Sequence, residues 1–150
     1  MSGAGAIHRA ASDWRCNHCS LLGVSGMARW LDVHNRTQDR HVIRARWCAS
    51  FACRLRGLMF RRRLAPDEGL LLVERSAGRA QTAIHMAMVF FPLGVIWLDD
   101  GLRVVDQRLA LPWRAYAPSA PARYILEGDP QVLECVAHGD ALEFTDAPVG

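Results

Sequence analysis

A long apolar run at residues 82–105 constrains the fold more than any other feature of this sequence. Pro92 and Gly94 interrupt its middle. Before them the residues alternate with the period of two that is typical of a strand, and residues 95–98 are apolar on both faces, as in a strand covered from both sides. Pro92 has no N–H to give to a ladder, so we expect the chain to bend there. The run predicts a bent two-stranded β-ribbon at the centre of the fold.

The ribbon is expected to continue into a tight hairpin. Asp100-Gly101 is a dipeptide that favours a two-residue type I′ turn, because both central residues of that turn need positive φ. Such a turn places Trp97 opposite Val104, an apolar pair that sets the register.

The rest of the chain reads as short strands with little helix. We predict strands at 29–34, 41–47, 69–74, 122–127 and 141–145, a loop or lid at 109–121, and at least one helical turn within 130–137. Ser50 is positioned to cap a short helix whose apolar face carries Phe51, Leu55, Leu58 and Met59. This pattern favours a mainly β fold, a compact small β-barrel or sandwich of about eight or nine short strands with one or two short helices.

The chain divides into two parts. Residues 27–150 are long enough for a single domain with its own core, whereas residues 1–26 are small, polar and glycine- and serine-rich. We expect residues 1–26 to be a flexible extension and consider Met27 as an alternative start. Cys16 and Cys19 flank His18 in that extension, but a closed zinc site needs four ligands and no second such pair follows. No metal and no cofactor is predicted.

Charge and composition limit the partners. The net charge of +3 comes from arginine alone, and no nucleic-acid-binding motif accompanies it. No signal-peptide-like run and no segment of about 18 uninterrupted apolar residues is present, so we expect no membrane span. The five cysteines are badly placed for a secreted disulfide framework. We therefore expect a cytoplasmic protein in which Cys48, Cys53 and Cys135 are inert core thiols.

Three motifs follow one another between residues 28 and 145. The first is 54–59, then Leu64 and the run 69–73. The second is Ile84-His85, with Pro92 seven residues after the histidine and an apolar strand ending Leu98-Asp99. The third is Pro112-Trp113-Arg114, 122–127 and Gly139-Asp140. In order and spacing they resemble the family called domain of unknown function 192. The resemblance implies a compact, mainly β domain, found in bacteria and archaea, with no established activity.

The chain departs from the family pattern near Pro92. An aspartate usually follows that proline by two residues, where this chain has Gly94, and a lysine or arginine commonly precedes it, where residues 89–91 are Val-Phe-Phe. If the family has a polar site on the ribbon, this member lacks part of it.

Two polar residues at motif positions are the best candidates for a site. His85 has small neighbours on its strand face, so it either borders a pocket as a base or hydrogen-bonding group, or fills the gap by bonding to a backbone carbonyl. Glu127, at the end of its strand, is the best partner for such a histidine or for an arginine. Asp140 follows a glycine, where a carboxylate often accepts backbone N–H groups, so we expect a structural role for it.

Three classes of function remain open. The first is a non-catalytic module that binds a small molecule or a polymer end at a barrel mouth lined by His85, Arg56, Trp113 and Tyr116. The second is a small hydrolase or transferase that uses His85 and Glu127, although no catalytic motif is present. The third is an accessory protein that pairs with a partner protein through an edge strand. We rank binding first.

Overall fold

Residues 28–148, which the computed structural model describes, form nine strands, one α-helix and one 3₁₀-helix. The strands are β1 (Trp30–Asn35), β2 (Arg40–Cys48), β3 (Glu68–Gly78), β4 (Ile84–His85), β5 (Leu93–Leu98), β6 (Val104–Ala110), β7 (Ala115–Tyr116), β8 (Ala122–Gly128) and β9 (Leu142–Asp146). Helix α1 spans Phe51–Arg56, and the 3₁₀-helix spans Pro130–Cys135. The predicted fold class, mainly β with two short helices, is confirmed.

Seven of the strands form one curled sheet in the order β6-β5-β8-β3-β2-β1-β9, while β4 and β7 pair separately. Strands β2 and β3 are parallel and are joined by a crossover connection that contains α1, and the other neighbours are antiparallel. The two edges approach each other at one end. There the Val104 N–H donates to the Asp140 carbonyl over 2.9 Å, and the Leu142 N–H donates to the Leu102 carbonyl over 2.9 Å. The sheet is therefore a half-barrel.

Each face of the sheet carries its own apolar core. We call the cluster that includes Ile43, Ile96 and Leu126 and packs against the 3₁₀-helix the inner core. We call the cluster that includes Val95 and Trp97, beside α1 and the 84–93 segment, the outer core. Strand β5 contributes to both and is buried at every position, which confirms the prediction of a strand covered on two sides.

The prediction for the first half of the ribbon is wrong. Only Ile84 and His85 form a strand there, and they pair with β7 instead of continuing into β5. The Met86 N–H donates to the Arg114 carbonyl over 2.7 Å, which extends this contact beyond the strand. The two halves of the 82–105 run still pack together, because Trp97 Nε1 donates to the buried Thr82 carbonyl over 2.8 Å.

The hairpin turn also differs from the prediction. Leu98, not Trp97, lies opposite Val104, and Trp97 faces Asp106 across a register shift. The cause is the Asp99 side chain, whose Oδ1 accepts the N–H groups of Gly101 and Arg103 over 2.8 and 2.9 Å. This wider turn places positive φ at Leu102 (60°).

The predicted cap of α1 is present, but the predicted apolar face is largely wrong. The Ser50 side chain accepts the Cys53 N–H over 3.2 Å. Phe51 and Leu55 are exposed, and none of the six helical residues is buried. Only Leu58, just beyond the helix, is fully buried as predicted. A helix this short depends on its links to the sheet more than on a buried stripe.

The segment predicted as a loop or lid at 109–121 contains the end of β6 and the whole of β7. Three predictions concern residues outside those that the structure describes: the flexible extension at 1–26, the alternative start at Met27 and the Cys16/Cys19 pair.

Gly69 illustrates how closely the central strands approach. A Cβ at this position would lie 2.7 Å from the backbone oxygen of Glu127 and 3.0 Å from Cδ1 of Ile43. Overpacking of this kind costs about 1–3 kcal/mol. We therefore expect Gly69→Ala to lower the free energy of unfolding by about 2 kcal/mol in a urea titration followed by tryptophan fluorescence. Gly101→Ala, in the exposed turn, is the control, and an equal loss in both variants would contradict this explanation.

Candidate functional site

A cavity of about 340 Å³ lies between α1 and the sheet. The lining from the sheet and the 81–93 segment includes Leu72, Glu74, Gln81, Ala83, Ile84, His85, Val89, Leu93, Ile125 and Glu127. The lining from α1 and the residues around it includes Phe51, Arg54, Leu55, Arg56, Gly57, Leu58 and Met59. Most of the sheet wall is apolar, with a few polar groups converging on the space, which is the usual composition of a small-molecule site.

Glu127 is the buried polar group of this cavity. It lies on β8 between Leu70 of β3 and Val95 of β5, with the side chain on the outer-core side, and only 6% of the residue is exposed. Within residues 28–148 its carboxyl group has no hydrogen-bond or ion-pair partner. Burial therefore raises the pKa of Glu127 to about 7. A carboxyl group in this state changes charge near neutral pH.

An ion pair anchors α1 above the cavity. Arg54 Nε lies 2.9 Å from Oε1 of Glu74, and both side chains are largely buried. The Arg54 guanidinium also donates to the carbonyls of Ala49 and Val73 over 2.6 and 3.2 Å. These contacts hold the first turn of α1 against the end of β2 and against β3, so Arg54 serves mainly to position the cavity wall.

A disulfide makes the second connection between α1 and the sheet. Cys48, at the end of β2, is bonded to Cys53 of α1, with the Cα atoms 5.6 Å apart. The prediction that both are free core thiols is therefore wrong, because the turn at Ser50 brings the two side chains together. Cys135 is free and half-buried. The cysteines no longer support the cytoplasmic expectation, which stays a prediction.

Three of the five residues predicted for a site meet at this cavity. Glu127 provides the buried carboxyl group, His85 is exposed on β4, and Arg56 is exposed at the end of α1. No hydrogen bond joins His85 to Glu127 or to a backbone carbonyl among the described residues. His85 and Arg56 are thus available to solvent or to a ligand.

The other two predicted residues lie outside the cavity lining. Trp113 is exposed and packs edge-on against Phe90, with ring centroids 5.8 Å apart. The Tyr116 hydroxyl accepts the Leu111 N–H over 2.9 Å, so this residue braces the loop after β6. Sequence reasoning missed Arg54 and Glu74 as members of the site. The signal that could have found Glu74 is its place as the first charged residue after the apolar run 70–73.

The departures from the family pattern have different consequences. A Cβ on Gly94 would lie 2.6 Å from Cγ1 of Val132, so this position faces the inner core and not the cavity. The absence of an aspartate at position 94 therefore does not remove a polar group from the cavity. Val89, in the region where the family often has a basic residue, does line the cavity and makes its wall more apolar.

Two further observations concern the described part of the chain. No group of three or more His, Cys, Asp or Glu side chains there is placed to hold a metal ion. No helix in residues 28–148 is long and apolar enough to cross a membrane.

The fold and the cavity define a small β-domain in which a half-barrel and a short helix enclose a mostly apolar space with one buried carboxyl group. The chain belongs to the domain of unknown function 192 family, whose model, described as "Uncharacterized ACR", matches residues 33–144. The resemblance noted in the sequence is thereby confirmed.

Two relatives, both named as UPF0127 proteins, show how far the sequence similarity extends. A UPF0127 protein of Thermococcus kodakarensis is 37% identical over 98 residues, which are 64% of this chain and 61% of that protein. A UPF0127 protein of Pyrococcus furiosus is 34% identical over 113 residues, or 73% of this chain and 95% of that protein. Both organisms are archaea.

Two crystal structures share the fold. A candidate transcription regulator from Sinorhizobium meliloti 1021 superposes with a TM-score of 0.69 at 22% identity, covering 81% of this chain and 97% of that one. A protein of unknown function from Novosphingobium aromaticivorans superposes with a TM-score of 0.67 at 24% identity, covering 93% and 99%. At these identities the likeness shows the fold alone.

Proposed function

We propose that this protein is a non-catalytic binding module that takes a small molecule, or the end of a polymer, into the cavity beneath α1. The observation that carries the proposal is Glu127, a residue that is only 6% exposed and whose carboxyl group lines the cavity without a partner in residues 28–148. Removing a carboxyl group from most of its contact with water costs free energy when no protein group pairs with it. A ligand that pairs with Glu127 would offset part of this cost, which favours binding in the cavity.

The cavity also has the dimensions of a ligand site. A volume of about 340 Å³ falls in the range of small-molecule pockets, roughly 300–1,000 Å³. Phe51 and Leu55, both exposed beside it, add apolar surface at the rim. Exposed apolar residues next to a cavity are more useful to a ligand than to the fold.

The test is a thermal-shift screen of the purified domain against metabolite and glycan libraries. A ligand at about 100 times its Kd adds about 2.7 kcal/mol of stability, which is readily detected. We expect at least one compound to raise Tm in the wild type, and Glu127→Gln or His85→Ala to remove most of that increase. Trp113→Ala is the matched control, since Trp113 lies outside the cavity lining. Stabilisation lost in Trp113→Ala but kept in Glu127→Gln would contradict the proposal.

One observation favours the alternative of a small hydrolase or transferase. Burial raises the pKa of Glu127 to about 7, which suits a general acid or base near neutral pH. His85 lines the same cavity but makes no hydrogen bond to Glu127 among the described residues. Turnover of ester or phosphoester substrates would favour this alternative over simple binding if it is lost in Glu127→Gln and also in His85→Ala.

The edge-strand alternative receives less support. The outer strands of the sheet are β6 and β9, and both carry charged side chains, including Asp106, Arg108 and Asp146. Charges along an edge oppose pairing with another chain. The hydrogen bonds between the start of β6 and the segment before β9 also occupy part of both edges.

A further inference from the structure

We infer that the cavity is built for a ligand whose apolar body ends in a cationic nitrogen, an ammonium or guanidinium group that Glu127 receives, with an anionic group at its other end beside Arg56. The inference rests on the proposed function and specifies the class of ligand. Three features of the cavity carry it: the apolar walls, the position of Glu127 and the arrangement of the remaining charges.

The walls select an apolar ligand body. The cavity side chains from the sheet and the 84–93 segment are mostly aliphatic, and Leu58, Ile84, Val89, Leu93 and Ile125 are all buried. A polar group placed against these side chains would lose its hydration without gaining a partner, whereas an alkyl or aryl body gains stability because its apolar surface is removed from water.

Glu127 selects the group at the inner end of the ligand. Within residues 28–148 its carboxyl group has no hydrogen-bond or ion-pair partner, and burial alone accounts for the raised pKa. A ligand hydroxyl could supply one hydrogen bond but no charge, and a ligand carboxylate would be repelled by the ionised form of Glu127. An ammonium or guanidinium group supplies both donors and the opposite charge, and charge-assisted hydrogen bonds are about twice as strong as neutral ones. A cationic nitrogen is therefore the best complement.

Gly57 leaves the space beside the Glu127 carboxyl group open. A Cβ at Gly57 would lie 4.0 Å from Oε2 of Glu127, so the residue facing the carboxyl group from the end of α1 has no side chain. The φ of Gly57 is +46°, a conformation that other residues rarely adopt. The end of α1 thus approaches the carboxyl group without filling the space around it.

The other charges around the cavity differ in whether they are available. Arg54 is committed to Glu74 at 2.9 Å and to two carbonyls, so this pair contributes no net charge. Arg56 is exposed, lines the cavity and has no charged partner among residues 28–148. His85 is also exposed at the cavity. A ligand anion that extends outward from Glu127 therefore meets the guanidinium group of Arg56, which is permanently charged.

Four six-carbon probes test the inference: hexylamine, 1-hexanol, hexanoate and 6-aminohexanoate. Binding to the full chain is measured by isothermal titration calorimetry at pH 7. We expect hexylamine to bind at least tenfold more tightly than 1-hexanol, hexanoate to bind most weakly, and 6-aminohexanoate to bind most tightly. Glu127→Gln should weaken hexylamine at least tenfold while changing 1-hexanol less than twofold. Arg56→Ala should reduce 6-aminohexanoate to the affinity of hexylamine.

Proton release gives a second readout. Because burial raises the pKa of Glu127 to about 7, about half of the sites carry a proton at pH 7, and an ammonium group that pairs with the carboxylate displaces it. Titrations in buffers of different ionisation enthalpy should therefore show the release of about half a proton per hexylamine bound, and none from Glu127→Gln.

The possible failures are distinguishable. Equal affinity for hexylamine and 1-hexanol, or preference for hexanoate, would overturn the cationic inference and leave the binding function intact. Absence of binding by all four probes would also overturn it, whether or not the library screen finds another ligand. Absence of any cavity ligand in that screen would count against the proposed function itself.

Discussion

The wild-type domain is expected to lose roughly 3 kcal/mol of unfolding free energy between about pH 4.5 and pH 7 through Glu127 alone, and Glu127→Gln is expected to lose none of it. One pKa unit corresponds to about 1.4 kcal/mol. The pKa of Glu127 rises by burial from its ordinary value of 4.5 to about 7 in the folded protein. The difference between these two values sets the size of the effect.

The direction follows from proton binding in the two states. Between pH 4.5 and pH 7 the unfolded chain has released the Glu127 proton while the folded domain still holds it, so the folded state binds more protons and stability falls as the pH rises. Below this range Glu127 is protonated in both states, and above it Glu127 is ionised in both states. The loss of unfolding free energy therefore reaches its full size near pH 7 and stays constant at higher pH. A neutral glutamine removes the titrating group without changing the side-chain shape much.

The measurement is a series of urea titrations at half-unit intervals from pH 4 to pH 8.5 on both proteins. The difference between wild type and variant isolates Glu127, because the other titrating groups are common to both. Glu134→Gln, at an exposed glutamate, is the matched control and should follow the wild-type curve. Parallel curves for wild type and Glu127→Gln would show that Glu127 is solvated or paired in the folded domain.

The same residue illustrates what the sequence could and could not predict about the site. Strand β8 was predictable from 122–127, and so was the choice of Glu127 as the polar group at its end. The burial of Glu127 was not predictable, because it depends on β3 and β5 flanking β8, and these strands are distant from β8 in the chain. The Arg54–Glu74 ion pair likewise joins a helix to a strand that does not adjoin it in the sequence.

The errors in the fold have a common physical cause. The local pattern of apolar residues identified β1, β2, β3, β5, β8 and β9, because these strands face the cores. The 84–89 segment has the same period of two, but its backbone partners lie at 113–116, so it forms only a short pair with β7. Phe51 and Leu55 follow helical spacing, yet they border a cavity instead of a core. Pattern alone does not say what an apolar face is packed against.

Asp140 carries the other large effect, and we expect Asp140→Ala to lower the free energy of unfolding by about 3 kcal/mol at pH 7. Its carboxylate Oδ2 accepts hydrogen bonds from Asn35 Nδ2 at 2.7 Å, from Gln38 Nε2 at 2.6 Å and from the Ala137 N–H at 2.8 Å. The backbone contact confirms the structural role predicted for this residue. Hydrogen bonds to charged groups contribute about 1.5–3 kcal/mol each, and alanine would remove all three. The Asn35 amide, which is fully buried, would keep only its hydrogen bond to the Cys135 carbonyl.

The pH dependence of Asp140 has the opposite sign to that of Glu127. Burial by itself raises the pKa of Asp140, but the hydrogen bonds from Asn35, the Ala137 N–H and Gln38 outweigh it and hold the pKa below its ordinary value of 3.8. The stabilisation is therefore complete above pH 3.8 and is lost as the pH falls through the lower folded-state pKa. The difference in stability between wild type and Asp140→Ala should shrink only in that acidic range.

The position of Asp140 gives the test a local readout as well. Its backbone carbonyl accepts the Val104 N–H, and Leu142, two residues on, donates to Leu102, so this segment joins the two edges of the half-barrel. Hydrogen exchange in Asp140→Ala should therefore accelerate at Val104 and Leu142 before it accelerates in β5. Asp67→Ala, which removes an exposed carboxylate paired with His41, is the control and should cost less than about 1 kcal/mol. A loss in Asp140→Ala no larger than in this control would show that the three hydrogen bonds contribute little, and that apolar packing alone holds the edges together.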